Sequence, residues 1–193
     1  MLKLGKDGMI ADAKIKASRQ IKIERGEMKT ISGIIVHQTG APTAKSTFAS
    51  YSQSTANGAH FLIDKDGAIY QTASIYHQTW HIGKLKSRCL QEHKCSEIEL
   101  NSLRKFDPAA EHKREMQKSV PDRYPSNQDS LGIELVGETT ASGAYVKVTF
   151  AQNQSLKWLV KELGETLSLR TEEVFRHPTV SRKNPSEAST AIW

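Results

Sequence analysis

Apolar residues in this chain fall into short separated runs, each bounded by polar or turn-forming residues. Residues 33–37 (GIIVH) are β-branched and give way to QTGAPT, which predicts a buried central strand ending in a loop. Residues 45–53 (KSTFASYSQ) predict a short helix that packs Phe48 and Tyr51. Two strands, 60–63 and 68–71, flank DKDG, where Gly67 supplies the positive φ of a hairpin turn. Residues 131–137 (LGIELVG) form another apolar strand, with one carboxylate, Glu134, inside it. Side chains alternate along a strand, so Glu134 and Gly132 share the face opposite Ile133 and Leu135.

The strongest helical pattern covers residues 149–167. Leu156, Leu159, Val160, Leu163 and Leu167 make one apolar stripe, and Thr149 with Gln152 fits a capping box. Residues 174–177 (VFRH) read as a last strand, leading into a loop, PTVSRKNPSEA. Between 84 and 127 the pattern weakens. ELNSLRKF and PAAEHKREMQK each suggest a helix, VPDRYPSN is a loop by its prolines, and the segment reads as an insertion over the domain. Residues 1–31 are polar and basic, an extension or an edge element. Strands around a sheet with a long helix on one face give an α/β or α+β fold, one domain spanning 1–193.

Composition narrows this picture. At 193 residues and 37% hydrophobic, the chain is long enough for one proper core. Mean hydropathy is −0.52, and no apolar run approaches the roughly 20 residues of a membrane helix, so no membrane insertion is expected. The N-terminus has scattered charges and no continuous apolar stretch, so no secretory signal peptide is expected; the protein stays in the cytoplasm or leaves by a signal-independent route. A net charge of +6 suits nucleic acid, membrane or cell wall, but there is no nucleic-acid motif and no dense basic run with interleaved aromatics. Cys89 and Cys95 admit three readings: free thiols, a metal site with His93, or a disulfide. The metal reading lacks a fourth ligand and a standard zinc spacing. The disulfide is favoured, and such a short loop contributes roughly 2 kcal/mol.

The candidate chemistry sits where apolar strands open into polar loops. His37 follows IIV and His177 follows VF, and histidine is the commonest metal ligand. Singly, each also reads as an ordinary edge histidine. Glu134, held by a strand, is either solvent-facing or a general base.

IIVHQTGAPT, GAHFLIDKDGAIYQ, TWHIG, SLGIELVG and the late FRHP loop occur in this order. Together they resemble the zinc-dependent N-acetylmuramoyl-L-alanine amidases, the family of peptidoglycan-recognition proteins, small phage lysozyme-amidases and muropeptide amidases. The resemblance covers about residues 33–83 and 130–193. It implies a central mixed sheet flanked by helices, with Zn2+ in a surface groove at the strand ends. It implies that His37 and His177 are zinc ligands and that Glu134 is the catalytic carboxylate. Trp80 and His81 match a segment bordering the substrate groove, with a core tryptophan and a structural histidine as the other reading; His60 is assigned with them to substrate binding.

The third ligand departs from the pattern. The family places Asp or Cys in the loop after the second histidine, and here that loop has neither. Counted from His177, Glu187 falls where the Asp belongs, and Glu ligates zinc at a similar distance. Asn184 is a poorer ligand, and in the other reading Glu187 caps the terminal turn. Lys183 matches the phage-type spacing and would stabilise the oxyanion. The expected reaction is hydrolysis of the amide between N-acetylmuramic acid and L-alanine in peptidoglycan. Three settings fit: an antibacterial type VI secretion effector acting in the periplasm of a target cell and paired with an immunity protein, then a phage endolysin, then a cytoplasmic recycling enzyme. The 84–127 segment and the SRKNPSEASTA tail resemble those of secretion-type amidase effectors, which is what implies the effector setting and its immunity protein, and a disulfide suits the periplasm. A binder of peptidoglycan that has lost a ligand is the reading of another class, and retention of Glu134 speaks against it.

Overall fold

The computed structural model describes residues 1–193. The polar N-terminal stretch is an edge element: a hairpin of β1 (Lys3–Leu4) and β2 (Ile10–Ala11), then β3 (Ile15–Ala17) and β4 (Glu24–Glu27). The apolar runs follow as β5 (Gly33–Gly40), helix α1 (Ala44–Tyr51), β6 (Phe61–Ile63) and β7 (Ile69–Gln71). Gly67 turns the chain between β6 and β7 at φ +88°, as the Asp-Gly pair predicts. Next come β8 (His77–Thr79), α2 (Arg88–Gln91), α3 (Glu97–Leu103), α4 (Pro108–Glu115), β9 (Ser130–Glu138), α5 (Phe150–Leu167), β10 (Val174–Arg176) and α6 (His177–Val180). The last boundary corrects the sequence reading: the strand stops at Arg176 and His177 opens a helical turn, because Pro178 fits the first turn of a helix and not a ladder.

Six strands make the main sheet in the order β10-β5-β9-β6-β7-β3. β10, β5, β9 and β6 run parallel, β7 is antiparallel to β6, and β3 lies parallel to β7 on the outside. A separate pair, β4 with β8, carries the chain toward Trp80. This is the mixed sheet flanked by helices that the sequence reading expected.

The two faces of the sheet differ. On one, Ile34, Val36, Ile133 and Leu135 pack against Leu156, Leu159 and Leu163 of α5, all fully buried. Burying each such side chain contributes about 1.5–3 kcal/mol. Gln152 pins the helix: its amide donates to Ile63 and Val136 carbonyls (3.1 and 2.9 Å), while its oxygen caps Thr149 N–H. The other face holds a smaller core of Ile35, Ile82, Leu85, Tyr124 and Val180. The 84–127 segment is therefore built into the domain at both ends rather than only laid over it. α4 locks its start, since Glu111 and Glu115 carboxylates accept from Ser87 and Arg88 N–H. α3 buries no residue, and Cys89 and Cys95 close a disulfide beside it. No helix is long and apolar enough to cross a membrane.

Candidate metal centre and active site

The second face of the sheet carries the polar chemistry. β5 and β9 pair in parallel with His37 directly opposite Glu134, which sets the two side chains about one strand spacing apart. Gly132, one position down that face, leaves the room His81 occupies; a Cβ there would stand 2.9 Å from His81 Nδ1. His177 enters from the start of α6. Glu187 comes from the tail, whose backbone is held by Gln38 Oε1 at Ala188 N–H (2.8 Å) and by Arg176, which donates to the Ala188 and Ala191 carbonyls.

His37, His177 and Glu187 are buried, and their ligand atoms lie within 4.8 Å of one another. Glu187 Oε1 is 2.9 Å from His177 Nδ1 and 3.5 Å from His37 Nδ1. Its carboxylate thus points at the histidines and does not cap the terminal turn. Hydrogen bonds assign the tautomers. The Ile82 carbonyl can only accept, so His177 Nε2–H donates to it (2.8 Å). Ser130 Oγ–H donates to Ser126 O, so Ser130 accepts from His81 Nε2–H (3.3 Å) and His81 Nδ1 accepts from His37 Nε2–H (2.9 Å). His37 Nδ1, His177 Nδ1 and Glu187 Oε1 are left as three converging acceptors with no donor among them. A cation satisfies that arrangement, and two imidazole nitrogens with one carboxylate fit zinc.

Electrostatics agree with this burial. Burial lowers His37 to about 4, with His177 adding to the effect. His81 is held well below its ordinary value by burial and by His37. Burial raises Glu134 to about 7, with the Tyr51 hydrogen bond opposing and Glu187 reinforcing.

These groups line a cleft of about 480 Å³ together with Trp80, Lys183 and Tyr145. Trp80 is 53% exposed on the rim, with the Arg25 guanidinium 4.8 Å from its ring centre. Lys183 is exposed on the wall. His81 reaches the wall, but both its ring nitrogens are engaged with His37 and Ser130, so it orients a histidine rather than offering a free group. His60 is a correction. It is fully buried, Nε2–H donates to the His77 carbonyl (2.9 Å), Nδ1 accepts from Gly132 N–H (3.1 Å), and it does not line the cleft.

Two residues of the site escaped the sequence reading. Tyr51 donates its hydroxyl to Glu134 Oε2 at 2.5 Å. A buried tyrosine hydroxyl needs a partner, which was a signal that Tyr51 does more than pack, though not toward what. Asn127, in the proline-rich loop, lines the cleft and accepts from the backbone amides of His81 and Ile82; nothing local marked it.

A family model described as N-acetylmuramoyl-L-alanine amidase matches residues 27–188. No curated protein matches the sequence. Among solved structures, a selenomethionine derivative of AmpD is similar with a TM-score of 0.56 at 20% identity, covering 94% of this chain and 90% of its own. The catalytic domain of XlyA matches at 0.55 and 19%, covering 88% and 87%. A mutant endolysin from Bacillus subtilis matches at 0.51 and 17%, covering 84% of each. At these identities the likeness establishes the fold.

Proposed function

The chain belongs to the N-acetylmuramoyl-L-alanine amidase family and is an amidase of peptidoglycan, and from that premise we propose that it works as a zinc hydrolase with His37, His177 and Glu187 as the metal ligands. The observation that carries this reading is the convergence of three buried acceptors beside Glu134. Zinc held there supplies a Lewis acid for the scissile carbonyl and lowers the pKa of the attacking water.

The protein's own groups do the rest. Glu134 takes the proton of the attacking water on a carboxylate oxygen and hands it to the alanine nitrogen as the C–N bond breaks. Water's oxygen stays on the lactyl carbonyl carbon, so the products are a lactyl carboxylate on the sugar and a free peptide amine. Tyr51 holds the Glu134 carboxylate in place through its hydroxyl. Lys183 Nζ stabilises the negative charge that grows on the carbonyl oxygen. The exposed Trp80 gives the glycan an apolar face.

The decisive test is digestion of intact peptidoglycan with and without a chelator, beside Glu187→Ala, with products read by mass spectrometry. Chelator-sensitive release of unmodified stem peptides, lost in the variant, supports both enzyme and ligand set. Activity that persists in Glu187→Ala removes Glu187 from the ligand set, and wall binding without cleavage or bound zinc means a recognition module.

For the biological setting, the reading is an antibacterial effector that acts in the periplasm of a target cell, delivered by a type VI secretion machine and paired with an immunity protein. The disulfide supports an oxidising destination. Expression with an export signal in a Gram-negative host is expected to lyse the cells, and the product of an adjacent gene to prevent it. Lysis that no adjacent product suppresses favours the endolysin reading.

A further inference from the structure

The backbone between β8 and α2 lines the cleft beside the candidate metal centre, and at His81–Ile82 it belongs to no strand or helix. Its two consecutive amides, His81 N–H and Ile82 N–H, donate to one atom, Asn127 Oδ1, at 3.0 and 2.9 Å. The same two residues then touch the two histidines. His81 Nδ1 accepts from His37 Nε2–H, and the Ile82 carbonyl accepts from His177 Nε2–H. One carboxamide oxygen thus holds the dipeptide whose side-chain nitrogen and backbone oxygen fix how both rings present Nδ1.

Asn127 is itself well anchored. The turn around it is closed by Ser126 N–H donating to Asp129 Oδ1 (2.8 Å) and Asp129 N–H donating to the Ser126 carbonyl (3.1 Å). The Arg123–Asp129 ion pair, 2.7 Å and buried, ties that turn to the preceding loop. Ser130, which receives His81 Nε2–H, is the next residue on and the first of β9. The turn therefore meets the His81 ring from one side and its amide from the other.

We propose that Asn127 is a positioning residue for the metal centre, setting the tautomer and aim of His37 and His177 through His81 and Ile82. This rests on the reading of His37, His177 and Glu187 as zinc ligands. Partners behind metal-bound histidines fix ring orientation, and removing them costs about 10–100-fold in metal affinity.

The test uses the full chain as wild type, Asn127→Ala and Asn127→Asp, with zinc affinity measured by competition against a chromogenic chelator. Asn127→Ala, which acts on the ligands only through His81 and Ile82, is expected to bind zinc about 10-fold more weakly, at the low end of that range, and Asn127→Asp, which keeps the accepting oxygen, to stay within about threefold of wild type. Nitrogen-15 spectra of the metal-free protein give a second readout that a merely structural role would not move. Wild type and Asn127→Asp are expected to hold His177 as the Nε2–H tautomer, and Asn127→Ala to show a mixture. Equal zinc affinity in wild type and Asn127→Ala overturns the positioning role and leaves the metal centre standing. Affinity lost equally in Asn127→Asp overturns it too. A wild-type spectrum with His177 protonated at Nδ1 overturns it even if the alanine variant does not fold. Wild type that binds no zinc overturns the metal reading and this inference with it.

Discussion

Glu134 sits beside a buried cluster that already contains another carboxylate, Glu187, and this shapes its chemistry. Burial raises its carboxyl to about 7 against the opposing pull of the Tyr51 hydroxyl. A general base acts in its ionised form, so cleavage is expected to rise as pH climbs through about 7 and to level off above. Tyr51→Phe removes a hydrogen bond that favours the carboxylate, so the midpoint moves to higher pH and the variant loses more activity at pH 6 than at pH 8. The profile of kcat/KM for stem-peptide release checks this, and an unmoved midpoint in Tyr51→Phe would mean the tyrosine only packs. Glu134→Gln is expected to lose about 10²–10⁴ in kcat with zinc content unchanged, because the amide cannot take a proton. The meeting of His37, His177 and Glu187 was legible only through the family resemblance: apolar runs put each histidine at a strand end, where it reads equally as an edge residue, and Glu187 stands out only as the counterpart of the family's Asp. His60 misled because it flanks an equally apolar run, FLI, yet lies inside. Tyr51 and Asn127 were illegible for a different reason: their partners are 83 and 45 residues away.

At the scale of elements, legibility followed length and capping. α5 announced itself by an apolar stripe and the Thr149–Gln152 box, which forms as read. α3 and α4, suggested only weakly by the pattern, start at the caps Ser96 and Asp107, a local signal the hydrophobic pattern does not carry. The N-terminal strands span two to four residues each, too short for a period of two to register. The bridged turn after α2 is a stabilising device separable from the chemistry. Arg88 already ties α2 to Glu173 and Glu92, and no metal-centre ligand lies inside the Cys89–Cys95 loop. Replacing both cysteines with serine is therefore expected to cost about 2 kcal/mol, seen as a lower urea midpoint, while zinc content stays the same. Loss of zinc in that double variant would instead make the bridge part of the metal site.

The whole molecule collects one site from four distant stretches: mid-β5, β9, the start of α6 and the tail. Apolar runs identify strands but not neighbours, so the order β10-β5-β9-β6-β7-β3 was out of reach of pattern alone. The family match begins at residue 27, whereas the main sheet takes its outermost strand from residues before it. β3 pairs with β7 through Ile15–Ile69, Lys16–Tyr70 and Ala17–Gln71, and Gln71 also reaches Ile10 N–H and the Gly8 carbonyl. Deleting residues 1–26 would bare the amides and carbonyls of β7 as a docking template, without the short, lysine-bearing strand that now blunts it. Such a truncated protein is expected to self-associate in a concentration-dependent way in sedimentation, where the full chain does not. A monomeric truncation would mean something other than β3 guards that flank. For this molecule a segment that lies outside the family match would then be what keeps one copy from pairing with the next.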